Sequence, residues 1–119
     1  MFIIRKEFAF SASHQLMGLP PEHPCSRLHG HNYVVTVELI SHKVNEVGFI
    51  QDYRELDFIK KYLDETKDHR HLNDCFLHNP TAELMAESLF QIFKPSCPQL
   101  RAVEVSETPK TTARYQEFL

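Results

Sequence analysis

Two stretches of apolar–polar alternation, Phe2 to His14 and His29 to Ser41, constrain this chain more than any other feature, because both run far past the five or six residues of an ordinary strand. In the first, Phe2, Ile4, Phe8, Phe10, Ala12 and His14 share one parity, while Ile3, Arg5, Glu7, Ser11 and Ser13 share the other. In the second, His29, His31, Tyr33, Val35, Val37 and Leu39 fall on one parity. A period of two is the signature of a strand with one buried face. Between them, Gly18, Pro20, Pro21 and Pro24 interrupt a polar stretch that cannot hold a ladder, so residues 15–27 form a loop. If the two strands pair antiparallel around that loop, His14 approaches the histidines that open the second strand.

The rest of the chain changes period. Residues 47–51, VGFIQ, read as a short further strand. From Asp52 onward Tyr53, Leu56, Ile59 and Leu63 recur at helical spacing, and Asp52 with Glu55 three residues later resembles a capping box, which predicts a helix starting there. The segment DHRHLND (68–74) has no period and reads as a polar connector. Ala82, Met85, Ala86, Leu89 and Phe93 define a second amphipathic helix, stopped by Pro95 and Pro98. Arg101 to Glu107 and Thr111 to Phe118 read as the last strands. Strands, then two helices, then strands give an α+β fold, built as one domain over residues 1–119.

Composition narrows the function. Thirteen Lys and Arg against sixteen Asp and Glu leave a net charge of −3, without the basic excess that phosphate contacts demand, which argues against nucleic acid as a partner. No apolar run approaches the ~20 residues of a membrane span, and the charged start MFIIRKEFAF does not read as a signal peptide. Three cysteines, an odd number, fit reduced thiols and a cytoplasmic location better than a disulfide framework. Eight histidines are the unusual entry in the composition.

Three of them carry the strongest chemical signal. His29 and His31, at i and i+2 of a strand, point to one face about 6.6–6.8 Å apart, so their imidazoles can converge on one cation. With His14 added, three neutral imidazoles and one open position describe a catalytic zinc site rather than a closed structural one. Cys25 then has two readings. It is either a fourth ligand that closes the site in a non-catalytic zinc module, or a thiolate kept near the metal as base or nucleophile. Asp68 next to His69 can fix the imidazole tautomer and make His69 a proton shuttle, or the pair can simply belong to a solvated turn. Glu107 shares the apolar parity of Val103 and Val105, where a carboxylate needs a partner bearing N–H donors, unless it marks the exposed strand end before Pro109. His23, His42, His71 and His78 have no evident role.

His14 and the blocks CSRLHGHNY, GFIQDY, DHRHLND, NPTAE and VSETP occur in the order seen in the 6-pyruvoyl-tetrahydropterin synthase superfamily, which this sequence resembles over nearly its full length. The three residues between Cys25 and His29 are similar to the bacterial branch that forms 6-carboxy-5,6,7,8-tetrahydropterin for queuosine. The resemblance implies a tunnelling fold, an antiparallel four-stranded sheet with two helices on one face, and homo-oligomers that are hexamers (dimers of trimers) or tetramers with sites at subunit contacts. It implies Zn2+ on His14, His29 and His31, Cys25 as general base, and Asp68 and His69 as proton-transfer partners from a neighbouring chain. It further implies Glu107 on the guanidine-like edge of a pterin and 7,8-dihydroneopterin triphosphate as substrate, with a pyruvoyl product as the alternative outcome. Arg27 is the candidate contact for the triphosphate, whose charge a chain of net −3 must meet locally.

Overall fold

The computed structural model describes residues 1–117. Both alternating stretches are single strands with the expected bounds, β1 (Phe2–His14) and β2 (His29–Ser41), paired antiparallel in unbroken register from Phe2 opposite Ser41 to His14 opposite His29. After β2 come α1 (Asp57–Thr66), α2 (Ala82–Phe93), β3 (Leu100–Thr108) and β4 (Thr111–Gln116). The four strands form one antiparallel sheet in the order β1-β2-β3-β4. The chain is therefore α+β, and its helices lie on one face.

That face is dictated by parity. Phe8, Phe10, Tyr33, Val35, Val37, Leu39, Val103 and Val105 are buried on it, beneath Ile59 and Leu63 of α1 and Met85, Leu89, Phe90 and Phe93 of α2. His14 belongs to the same parity and is completely buried. Among the described residues the opposite face carries no helix. There Arg5 of β1, Glu38 of β2, Glu104 of β3 and Arg114 of β4 interlock: Arg5 meets Glu38 at 3.1 Å and Glu104 at 2.6 Å, while Arg114 meets Glu104 at 3.0 Å and also pairs with Glu38.

Two local expectations change. Residues 47–51 are not a strand. The Asn45 side-chain oxygen instead accepts from the backbone N–H groups of Val47, Gly48 and Phe49 at 3.0, 3.1 and 3.0 Å, and Gly48 takes φ = +103°, which closes a tight loop in place of an extended ladder. The capping box at Asp52 is present, but it opens a 3-10 turn, Tyr53–Leu56, that runs into α1 only at Asp57. The last strand ends at Gln116; Phe118, included in the sequence expectation, lies outside the described residues.

Candidate metal centre and active site

The register that pairs His14 with His29 places three imidazoles at one end of the core layer, beside the start of α2. The ring centroids of His14, His29 and His31 lie 4.5, 5.0 and 4.9 Å apart, and one ring nitrogen from each falls within 4.8 Å of the others. Their tautomers follow from their neighbours. His14 Nδ1 donates to Pro80 O at 2.9 Å, and His29 Nδ1 donates to Arg27 O at 2.7 Å, so in both rings the lone pair sits on Nε2. These two Nε2 atoms face each other at 2.8 Å. Two lone pairs at that distance repel unless a cation lies between them.

The third nitrogen makes the same point. His31 Nε2 is buried without a hydrogen-bond partner and stands 3.5 Å from a Glu107 carboxylate oxygen. Burial lowers the pKa of both His14 and His31, outweighing the Glu107 charge that acts in the opposite sense, and so favours the neutral ring that ligation requires. Three converging imidazole nitrogens, with the outer nitrogens of His14 and His29 tied to carbonyl oxygens, are the donor set of a borderline-soft divalent ion such as zinc.

The other predicted residues are distributed around this centre. Glu107 is half-buried and lines a cavity of about 300 Å3 with Ala82, Glu83, Val105 and the first residues of β4. It sits at the site and is not merely an exposed strand end. Cys25 occupies a one-turn 3-10 helix, Pro24–Ser26, tied to the exit of β1 by the Leu16 N–H donating to Cys25 O at 2.9 Å. Its half-buried thiol lies outside the three-histidine cluster. Arg27 is exposed, and its guanidinium makes no ion pair among the described residues.

Asp68 and His69 are joined at 2.8 Å through Oδ2 and Nδ1, with His69 at φ = +58° and its side chain 83% exposed. The Ser11 N–H donates to Asp68 Oδ1 at 2.9 Å, and this bond, followed by the one to His69, holds the Asp68 carboxyl below its ordinary pKa. His69 lines a groove with Ser11, Ser13, Asn32 and His71. By strand alternation these serines and Asn32 project from the face opposite His14, and His31 of the histidine cluster also lines this groove.

Further residues complete the centre without having been singled out. Tyr33 stacks on Phe10 with centroids 5.0 Å apart, sits edge-on to His14 and His31, and buries an unpartnered hydroxyl; burial, seconded by the Glu107 charge, raises its pKa. Its place on the parity of His29 and His31 was the only sign in the sequence. Three unassigned histidines have structural partners: His23 Nδ1 accepts from the Cys25 N–H at 3.0 Å, His71 Nδ1 pairs with Ser13 Oγ at 3.0 Å, and His78 Nε2 with Ser88 Oγ at 2.6 Å.

Fold and site together define a class: small α+β proteins in which a four-stranded antiparallel sheet presents three imidazoles able to hold a metal ion at one end of its helix-covered face. Residues 3–117 match the family model described as 6-pyruvoyl tetrahydropterin synthase, and the chain belongs to that family. Among its relatives, the 6-carboxy-5,6,7,8-tetrahydropterin synthase of Synechocystis sp. is 39% identical over 97% of this chain and 93% of its own. The protein of the same name from Bacillus subtilis is 31% identical over 97% and 85%. The Caenorhabditis elegans 6-pyruvoyl tetrahydropterin synthase structure superposes with a TM-score of 0.85 at 26% identity, covering 98% of this chain and 96% of the other.

Proposed function

We propose that this protein is a zinc-dependent carbon–carbon lyase that converts 7,8-dihydroneopterin triphosphate and water to 6-carboxy-5,6,7,8-tetrahydropterin, acetaldehyde and triphosphate in queuosine biosynthesis. The observation that carries the reading is the convergence of three imidazoles next to Glu107. The names of the relatives over nearly the full chain supply the product. His14, His29 and His31 would hold Zn2+, which when bound polarises the vicinal hydroxyls of the substrate side chain and acidifies the adjacent C–H.

The chain's own groups do the rest. Glu107 accepts hydrogen bonds from the guanidine-like edge of the pterin and sets its orientation against the metal. Cys25, on its tethered turn, takes the carbon-bound proton as a thiolate. Asp68 holds the tautomer of His69, which moves a second proton, and a neighbouring copy of the chain supplies this pair to the site. Arg27, exposed and free of an ion pair among the described residues, meets the triphosphate. The protein works as a homo-oligomer, a hexamer or a tetramer, in the cytoplasm, without nucleic-acid or membrane partners. No helix among the described residues is long and apolar enough to cross a membrane.

Incubating the zinc-loaded protein with dihydroneopterin triphosphate and weighing the pterin product tests this directly. A 6-carboxytetrahydropterin mass is expected, and a 6-pyruvoyl product sinks the assignment. In Cys25→Ala, zinc content should stay at the parent level while turnover vanishes; loss of zinc would make Cys25 a ligand.

A further inference from the structure

The outer edge of β1 is closed at one end by an unusual ladder. On the odd residues, whose backbone groups point away from β2, Ser11 donates to Asp68 Oδ1 at 2.9 Å and accepts from the His69 N–H at 2.6 Å, and Ser13 donates to Arg70 O at 3.1 Å. Beyond the end of the strand the pattern continues through side chains. Asn73 accepts from the Gln15 N–H at 2.9 Å and donates to Gln15 O at 2.7 Å. Asn79 accepts from the Met17 N–H at 3.0 Å and donates to Met17 O at 3.1 Å. Each primary amide thus does what a neighbouring strand residue would do, with both backbone groups of one residue.

The even residues between them are those of the metal centre. His14 lies between Ser13 and Gln15, and its Nδ1 donates to the carbonyl of Pro80, the residue after Asn79. Leu16 lies between the two clamped residues and donates to Cys25 O, while the Gln15 side chain donates to Ser26 O at 2.8 Å. Fixing residues 15 and 17 from one side therefore fixes the ring of His14 and the turn of Cys25 on the other. Neither asparagine has a part in the proposed chemistry.

We propose that Asn73 and Asn79 are positioning residues for the metal centre: their amides lock the exit of β1 so that His14 meets His29 and His31, and the Cys25 turn is held at a set distance from them. This rests on the reading of the three histidines as a zinc site. The outer-shell partner of His14 is the carbonyl of Pro80, next to Asn79, and misplacing such a partner typically weakens metal binding by about 10–100-fold.

The test uses the full chain, stripped of metal, with Zn2+ titrated against a chromophoric chelator and Co2+ followed by its visible spectrum. Alongside, amide exchange of Leu16 is read in the metal-free protein. Asn73→Ala and Asn79→Ala are compared with Asn45→Ala, which removes an equally well-bonded asparagine from the loop at the far end of β2. The expected result is a Zn2+ Kd raised at least about 10-fold and faster Leu16 exchange in both clamp variants, with Asn45→Ala within about twofold of the parent. If an alanine variant fails to fold, Asn73→Asp or Asn79→Asp, which keeps the acceptor and loses the donor, takes its place. Parent-like Zn2+ affinity and parent-like Leu16 exchange in folded clamp variants overturn the proposal, as does an equal loss in Asn45→Ala. A parent that takes up neither Zn2+ nor Co2+ overturns the metal-site reading and this proposal with it.

Discussion

At the scale of single residues, the molecule shows two ways of burying a positively ionisable group. His14 is fully buried, and burial lowers its pKa. Lys67 is 5% exposed, its Nζ donates to Tyr62 Oη and Thr66 Oγ1 at 3.2 Å each, and it lies 4.8 and 5.0 Å from the rings of Tyr62 and Phe76. Cation–π contact to two rings and the packed methylene stem take the place of a carboxylate. Lys67→Ala should cost about 2–4 kcal/mol, the range for emptying a long buried side chain, and Lys67→Met should recover most of it. Urea unfolding measures both, and an alanine variant within about 0.5 kcal/mol of the parent contradicts this account. The zinc-type histidines were legible in the sequence because an i, i+2 pair on a strand has only one geometry. Lys67, Tyr33 and the two asparagines were not, since their partners stand elsewhere in the chain and no local pattern announces them.

At the scale of elements, the bounds of β1 and β2 were legible to the residue and the apolar stripe of α2 was legible with its proline stop, because period and breakers agree there. The false strand at 47–51 shows the opposite case. A five-residue stretch with three large apolar side chains carries less information than Asn45 and Gly48, which set its turn. The 3-10 entry into α1 was half legible: Asp52→Ala removes the cap on the Arg54 N–H at 2.9 Å, and a lower urea midpoint should follow. The four-strand ion network could not be read in advance, since it depends on register. Glu38 has its carboxyl pKa lowered chiefly by its hydrogen bond to Arg114, and Glu104 by its bond to Arg5, with burial opposing both. Each carboxylate therefore stabilises the fold fully above the unfolded value of about 4.3, and the contribution drains away as pH falls from there through the lower folded pKa. Stability should decline on acidification below about pH 4.3, and Glu38→Gln should lose about 1.5–3 kcal/mol at pH 7 and show a shallower acid limb. Identical slopes in parent and variant would remove the network from the explanation.

At the scale of the whole molecule, the proposed function draws Cys25 and the His69–Asp68 pair from different copies of the chain, and that assignment can be tested by mixing variants. Mixing inactive Cys25→Ala chains with inactive His69→Ala chains, under conditions that allow subunits to exchange, should restore about a quarter of parental activity, because a random mixture pairs one intact Cys25 with one intact His69 that often. No recovery would mean that each chain supplies its own pair.

The edge of β1 gives that assembly a limit. Among the described residues no backbone hydrogen bond reaches the outward groups of Ile3, Arg5, Glu7 and Ala9, whereas those of Ser11 and Ser13 are taken by the connector. A strand from another molecule can add along the first half of β1 and must stop at Ser11, where Asp68 and His69 stand as a doorstop. The same two residues would then carry protons in one site and keep the sheets of successive copies from sliding past the register that builds it.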